Sequence, residues 1–408
     1  MKTEIILFTA DTYKKELVRE KEVGGQAVRD YEDRKKKYRK NRGIIFSSLL
    51  VIIVIIGAIY LIRLFNRTYQ DYEVMDSVSN TEENLGGYLE YKGAVVRYSR
   101  DGAVAVDNKG NLLWDGSYEM ADPIADACED YVVIADRGGK LVQIFNRKGL
   151  AGSLPMNHPI VKAQVAYQGV VAVLMTEGDT SYVELYSKEG KLLGEKVTNM
   201  VKDGYPMDIS LSDNGEKVAA TYLSISKGEI INNILFLNYG EVGKNFTDRI
   251  AGGEIYDKSM VPIITFLDND TVCAFKEDGL LIFTMEEIAK LAKDETIEGK
   301  IKSILHNEKY AGIVLEEEGG QDPKLLLYDL KGNKVLDMEL DFEYESIFLS
   351  GDEIIMYDNL TCVIYKADGK EKFRYTFTTN ISALYPINHF DRYFMVNSQE
   401  ILEIQLVE

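Results

Sequence analysis

The chain carries three histidines, His158, His306 and His389, and three cysteines, Cys128, Cys273 and Cys362, in 408 residues. Such side chains suit metal binding, proton transfer and nucleophilic attack, so their spacing comes first. No histidine has a second one at metal-ligand spacing, and HExxH does not occur. The cysteines are odd in number, far apart and without a CxxC pair, which argues against zinc and against a disulfide framework. Each lies in an apolar run and reads as a small core residue. There is no GxSxG elbow and no P-loop. Asp268-Asn269-Asp270 and Asp213-Asn214-Gly215 offer oxygen ligands, but neither continues to the closing glutamate of a calcium loop. Both read as turns. No catalytic, cofactor-binding or metal-binding residue is assigned, and no cofactor is expected. Carboxylates borne by separate repeats could still form a site, and only the fold can gather them.

A repeat is present. From about Gly86 onward, short apolar runs alternate with Gly, Asp and Asn turns, as sheet hairpins do. Val104-Ala105-Val106-Asp107-Asn108-Lys109-Gly110-Asn111-Leu112-Leu113-Trp114 is one copy. Others begin at Val142, Val183, Ile234, Leu281, Leu326 and Cys362, and Ile401–Leu406 is an eighth that lacks its partner strand. Turn glycines at 110, 149, 190, 240, 332 and 369 give spacings of 39 and 41 residues early and 37 late. That period suits one four-stranded propeller blade. Asp208–Ala220 reads as the inner hairpin of a blade. The fold class is all-β: a β-propeller of eight blades, with seven as the alternative and a pair of β-sandwiches as the competing architecture. Tyr72–Val78 is the candidate strand that completes the last blade. Met285–Lys293 has helical spacing and is expected to be a short helix on a blade edge.

Residues 43–62 read GIIFSSLLVIIVIIGAIYLI, twenty residues without a charge. A helix of that length crosses a hydrocarbon core of about 30 Å. It starts too late and runs too long for a cleaved signal peptide. Before it, residues 34–42 hold seven Lys or Arg; after it come only Arg63 and Arg67 before an acidic stretch. The positive-inside rule then places the N-terminus in the cytoplasm. The expected domains are a basic cytoplasmic tail (1–42), one transmembrane α-helix (43–64), a linker with the ring-closing strand (65–85) and an extracytoplasmic propeller (86–408). The lipid bilayer is the first expected partner.

Residues 1–42 hold 13 Lys or Arg against 8 Asp or Glu, and the rest of the chain 34 against 58. A domain that acidic repels phosphates, so no nucleic-acid partner is expected. The segments Val106-Asp107 to Leu113-Trp114 and Leu211-Ser212-Asp213-Asn214-Gly215 resemble repeats of quinoprotein-like and WD40-like propellers. With the basic tail, signal anchor and acidic propeller, the layout resembles the DUF5711 type of bacterial membrane-anchored β-propeller proteins. That resemblance implies a propeller and no particular activity. Quinoproteins dock each blade with a Trp, and Trp114 is the only one here, so a quinone cofactor is not implied. The function expected first is a membrane-tethered scaffold that binds an extracytoplasmic protein or envelope partner. The alternatives are an envelope glycan or ester hydrolase or lyase, and a transmembrane sensor.

Overall fold

The computed structural model describes residues 67–408 apart from 80–84, 108, 110, 317–321 and 389, and, of the N-terminal segment, 14–15, 19, 34–35, 37–38, 40, 46–58 and 63. The chain divides into two units, Met1–Arg67 and Thr68–Glu408. In the first, residues 46–58 are helical and their large apolar side chains stand exposed. No helix among the described residues is long and apolar enough to cross a membrane. The remainder of the segment 43–64, apart from residue 63, lies outside the described residues.

In the second unit the strands alternate with tight turns because the sequence does. Asp107 and Asp329 open two turns in the same way. Each offers its Oδ1 to backbone N–H groups two and four residues on, at 2.8 to 2.9 Å, the Asx chemistry of a turn. Gly332 supplies the φ of +74° that the second turn needs. The strands so formed fall into eight four-stranded antiparallel sheets. Blades 1 to 7 each use four consecutive strands, over residues 85–117, 123–155, 160–199, 205–256, 263–296, 301–339 and 346–376. Blade 8 uses Ala383–Pro386, Arg392–Val396 and Glu400–Val407, and takes its outer strand, Asp71–Ser79, from the other end of the propeller. The eight-blade reading and the ring-closing strand therefore hold; seven blades and paired sandwiches do not.

Middle strands read as continuous apolar runs, such as Val171–Met175, because both faces of a blade are covered. The core is accordingly not central. Eight apolar clusters each join one blade to the next, including blade 8 to blade 1. Trp114 stacks on Phe145 at 4.6 Å across the seam of blades 1 and 2. Burying each large aliphatic or aromatic side chain is worth about 1.5–3 kcal/mol, so the seams hold the ring together.

Two expectations are corrected. Met285–Lys293 is not a helix. Met285 is buried in the seam of blades 4 and 5, and Lys290–Thr296 is the outer strand of blade 5, pairing Phe283 with Leu291. Helical spacing over nine residues is too short to outweigh an open sheet edge. Cys273 and Cys362 are core residues, but Cys128 is only half-buried. It ends the inner strand of blade 2, where the chain turns at the ring's axis.

Candidate functional site

In blades 1 to 7 the first strand is innermost, and in blade 8 it is Ala383–Pro386; inner strands of neighbouring blades contact one another from blade 1 to blade 5 and between blades 6 and 7. An inner strand has a free edge, whose N–H groups need acceptors. From blade 2 to blade 5 the preceding blade supplies them. Asp126 Oδ2 accepts from Val165 N–H at 2.9 Å, Gln164 Oε1 from Leu211 N–H at 2.8 Å, and Ser210 Oγ from Phe266 N–H at 2.9 Å. Each cap lies one residue before the N–H that its predecessor caps. One pleat away, Lys162 Nζ pairs with Asp208 Oδ1 at 2.6 Å, and Asp208 Oδ2 accepts from Ile264 N–H at 3.1 Å.

From blade 6 round to blade 1 the seams near the axis are filled differently. Phe348 and Tyr385 lie 5.8 Å apart, Tyr385 donates its hydroxyl to the Tyr88 carbonyl at 3.1 Å, and Tyr344 donates to Ser303 Oγ at 2.9 Å. His306 ends the inner strand of blade 6, open to solvent yet crowded by protein. That crowding and the nearby Lys162 hold its imidazole below the ordinary range, with Asp208 opposing.

Where the inner strands finish, they form one mouth of the channel. Two contacts reach over an intervening blade: Cys128 Sγ to Asp213 Oδ1 at 3.7 Å, and Ser350 Oγ to Glu90 Oε2 at 3.5 Å. Glu129, Asp268 and Glu308 bring further negative charge. Desolvation in this crowded mouth, with Glu308 adding repulsion, pushes the Glu90 carboxyl up to about 7 against the hydrogen bond from Ser350. Burial also raises Asp126 to about 6, against the Val165 N–H and Lys162. The Cys128 thiol is pushed up to about 12 by burial and by Asp213 and Asp126, so it is no nucleophile at neutral pH.

The opposite face carries a projection. In blade 4, Lys217–Ser226 and Glu229–Asn238 pair as far as Ser226 with Glu229, whereas the flanking strands stop at Tyr205 opposite Leu223 and Tyr256 opposite Asn232. Lys227 and Gly228 turn the tip with φ of +55° and +85°, the signs of a type I′ hairpin. The crest is apolar: Ile225 is 75% exposed and pairs with Ile230 on one face of the hairpin. Large apolar groups gathered in the open mark an interaction surface.

Of the residues singled out in the sequence, His158 lies within 2.7 Å of Glu177 and stacks on Tyr182, away from the mouth, and His389 lies outside the described residues. Asp213-Asn214-Gly215 is a turn, as read, with Asn214 Oδ1 accepting from Glu216 N–H, but it also delivers Asp213 to the mouth. Among the described residues no group of His, Cys, Asp and Glu is arranged to hold a metal. Glu90, Asp126, Gln164, Asp208 and Ser210 carried no motif.

The structure is similar to Sqt1 of Saccharomyces cerevisiae, with 13% identity, 82% of this chain and 99% of that chain covered, and a TM-score of 0.57. It is similar to BamB of Moraxella catarrhalis, with 13% identity, 82% and 100% covered, and a TM-score of 0.51. At such identity the likeness shows the propeller fold alone. No curated protein matches the chain. The DUF5711 family, a family of unknown function, matches residues 65–406, and the chain belongs to that family.

Proposed function

We propose that the chain is a membrane-tethered, extracytoplasmic propeller that binds a protein or envelope partner. The apolar run 43–62 and the basic residues before it support the tether and its direction. In this reading residues 1–42 stay in the cytoplasm and the ring stands outside. The observation that carries the binding role is the crest of blade 4, where Ile225 and Ile230 pair side by side in the open at the end of the projecting hairpin. Partner capture from membranes with the full chain tests it. The wild type should retain a specific partner, and Ile225→Lys with Ile230→Lys should lose it while unfolding at the same temperature. Equal capture by both proteins would end the role of the crest.

One observation favours a second reading, a hydrolase or lyase for an envelope glycan or ester. Glu90 stays partly protonated near neutral pH, as a general acid must, in the channel that His306 also faces. Envelope glycan turnover abolished by Glu90→Gln would establish this reading. Turnover unchanged by that substitution would remove it.

A further inference from the structure

The strand that completes blade 8 is held unevenly. From Glu73 to Ser77 its side chains are exposed, and its register slips between Val74 and Asp76. Such a stretch contributes main-chain bonds but little burial, so it opens more readily than a core strand. Its beginning is built otherwise. Tyr69 is buried in the seam of blades 7 and 8, bridges Phe373, and donates its N–H to the Lys372 carbonyl at 2.9 Å. Gln70 N–H donates to the Val407 carbonyl at 3.0 Å. Tyr72 sets its ring edge-on to Tyr375 at 5.0 Å and against Phe377 at 4.9 Å. Within four residues the chain is fastened both to the outer strand of blade 7 and to the last strand of blade 8.

Beneath this fastening lies a buried polar triad. Lys372 pairs with Glu353 and donates to the Tyr393 hydroxyl at 2.7 Å, and that hydroxyl donates to Glu353 Oε2 at 2.6 Å. A buried charge is tolerated only when so well partnered, and removing one member is costly. The triad ties both middle and outer strands of blade 7 to blade 8, the two surfaces that Tyr69 joins.

A pull on residues 1–67 reaches the ring at this point. Asp71 pairs with Val407, so an unguarded pull would unzip the antiparallel pair one bond at a time from that end. We propose that residues 69–72 are a clamp that keeps such a pull from peeling blade 8 open, with Lys372, Glu353 and Tyr393 as its footing. This rests on the tether reading only for the source of the pull.

Hydrogen exchange on the full chain tests the clamp. Tyr72→Ala should speed exchange of amides 71–79 by about tenfold or more and leave those of 171–177 unchanged. Tyr72→Phe, which keeps the ring, and Val74→Ala, which alters only the exposed stretch, should exchange as the wild type does. A pull applied through the N-terminus should detach the strand at lower force in Tyr72→Ala. Unchanged exchange in Tyr72→Ala, or equal acceleration in blade 3, would overturn the clamp. Failure of the chain to float with membranes would instead remove the tether and leave the clamp standing.

Discussion

From blade 2 to blade 5, the end of each seam nearest the axis is closed by a side chain that accepts a backbone N–H of the next blade. From blade 6 round to blade 1 it is closed by rings and their hydroxyls, Phe348 and Tyr385 within their inner strands and Tyr344 just before one. The two halves face one problem, the free edge of an inner strand. A cap answers it with one atom at one position, and an N–H left bare costs the full desolvation of that group. A ring answers it with volume, which tolerates small chemical changes but not shrinkage. The capped half should therefore be the more sensitive to loss of a single polar atom.

The largest test is Asp208→Ala. Asp208 is 8% exposed, accepts from Ile264 N–H and pairs with Lys162. Its loss strands a buried donor and an ammonium together, at about 3 kcal/mol, measurable by denaturant unfolding. A loss below about 1 kcal/mol would mean that water replaces the cap and that the halves do not differ. Next is pH. Glu90 and Asp126 are held above the ordinary carboxylate range, at about 7 and about 6. The folded state then binds more protons than the unfolded one, so their contribution is complete below about pH 4 and fades as pH rises through 6 and 7. The ring should lose about 2 kcal/mol between pH 5 and 8, discounted for solvent at a half-open mouth. Glu90→Gln with Asp126→Asn should flatten that slope, and thermal unfolding across the range reads it. Smaller still is a matched pair. Ser210→Ala, which bares the Phe266 N–H, should cost about 1–2 kcal/mol, and Tyr385→Phe, which frees a carbonyl with a second lone pair, about half that. The reverse order would turn the comparison over.

The outline of the ring was legible because each blade is local. Asp107 to Trp114 and Asp329 to Leu336 write strand, turn and strand within about a dozen residues, and the short fall at Leu406 called for a strand from elsewhere. The caps were not legible, since Asp126 and Val165 are 39 residues apart and Ser210 and Phe266 56 apart. A polar residue in an alternating strand looks like any solvent-facing one. The signal that could have found them is positional: Asp126, Gln164 and Ser210 are counterparts once the inner strands are aligned blade to blade. Residues 285–293 misled for the opposite reason, because local spacing fitted a helix while the long-range pairing that decides the matter was invisible. The cysteine at 128 misled because it is the last residue of its strand and lies half-buried at the mouth, against Asp213.

The finest test asks what a cap must be. Gln164→Glu keeps an oxygen within reach of Leu211 N–H, which donates to the amide oxygen at 2.8 Å, and changes only the charge. If acceptance alone matters, the variant should unfold with the wild type at pH 5, where crowding beside Asp126 and Asp208 favours the protonated acid. At pH 8 the new carboxylate joins a wall whose named ammonium, Lys162, is already held by Asp208, and the cost should be about 0.5 kcal/mol. Unfolding midpoints at the two pH values separate the cases. A cost near 2 kcal/mol at both would show that the capped half depends on the amide as such, and the shared position of Asp126, Gln164 and Ser210 would then be three separate solutions rather than one.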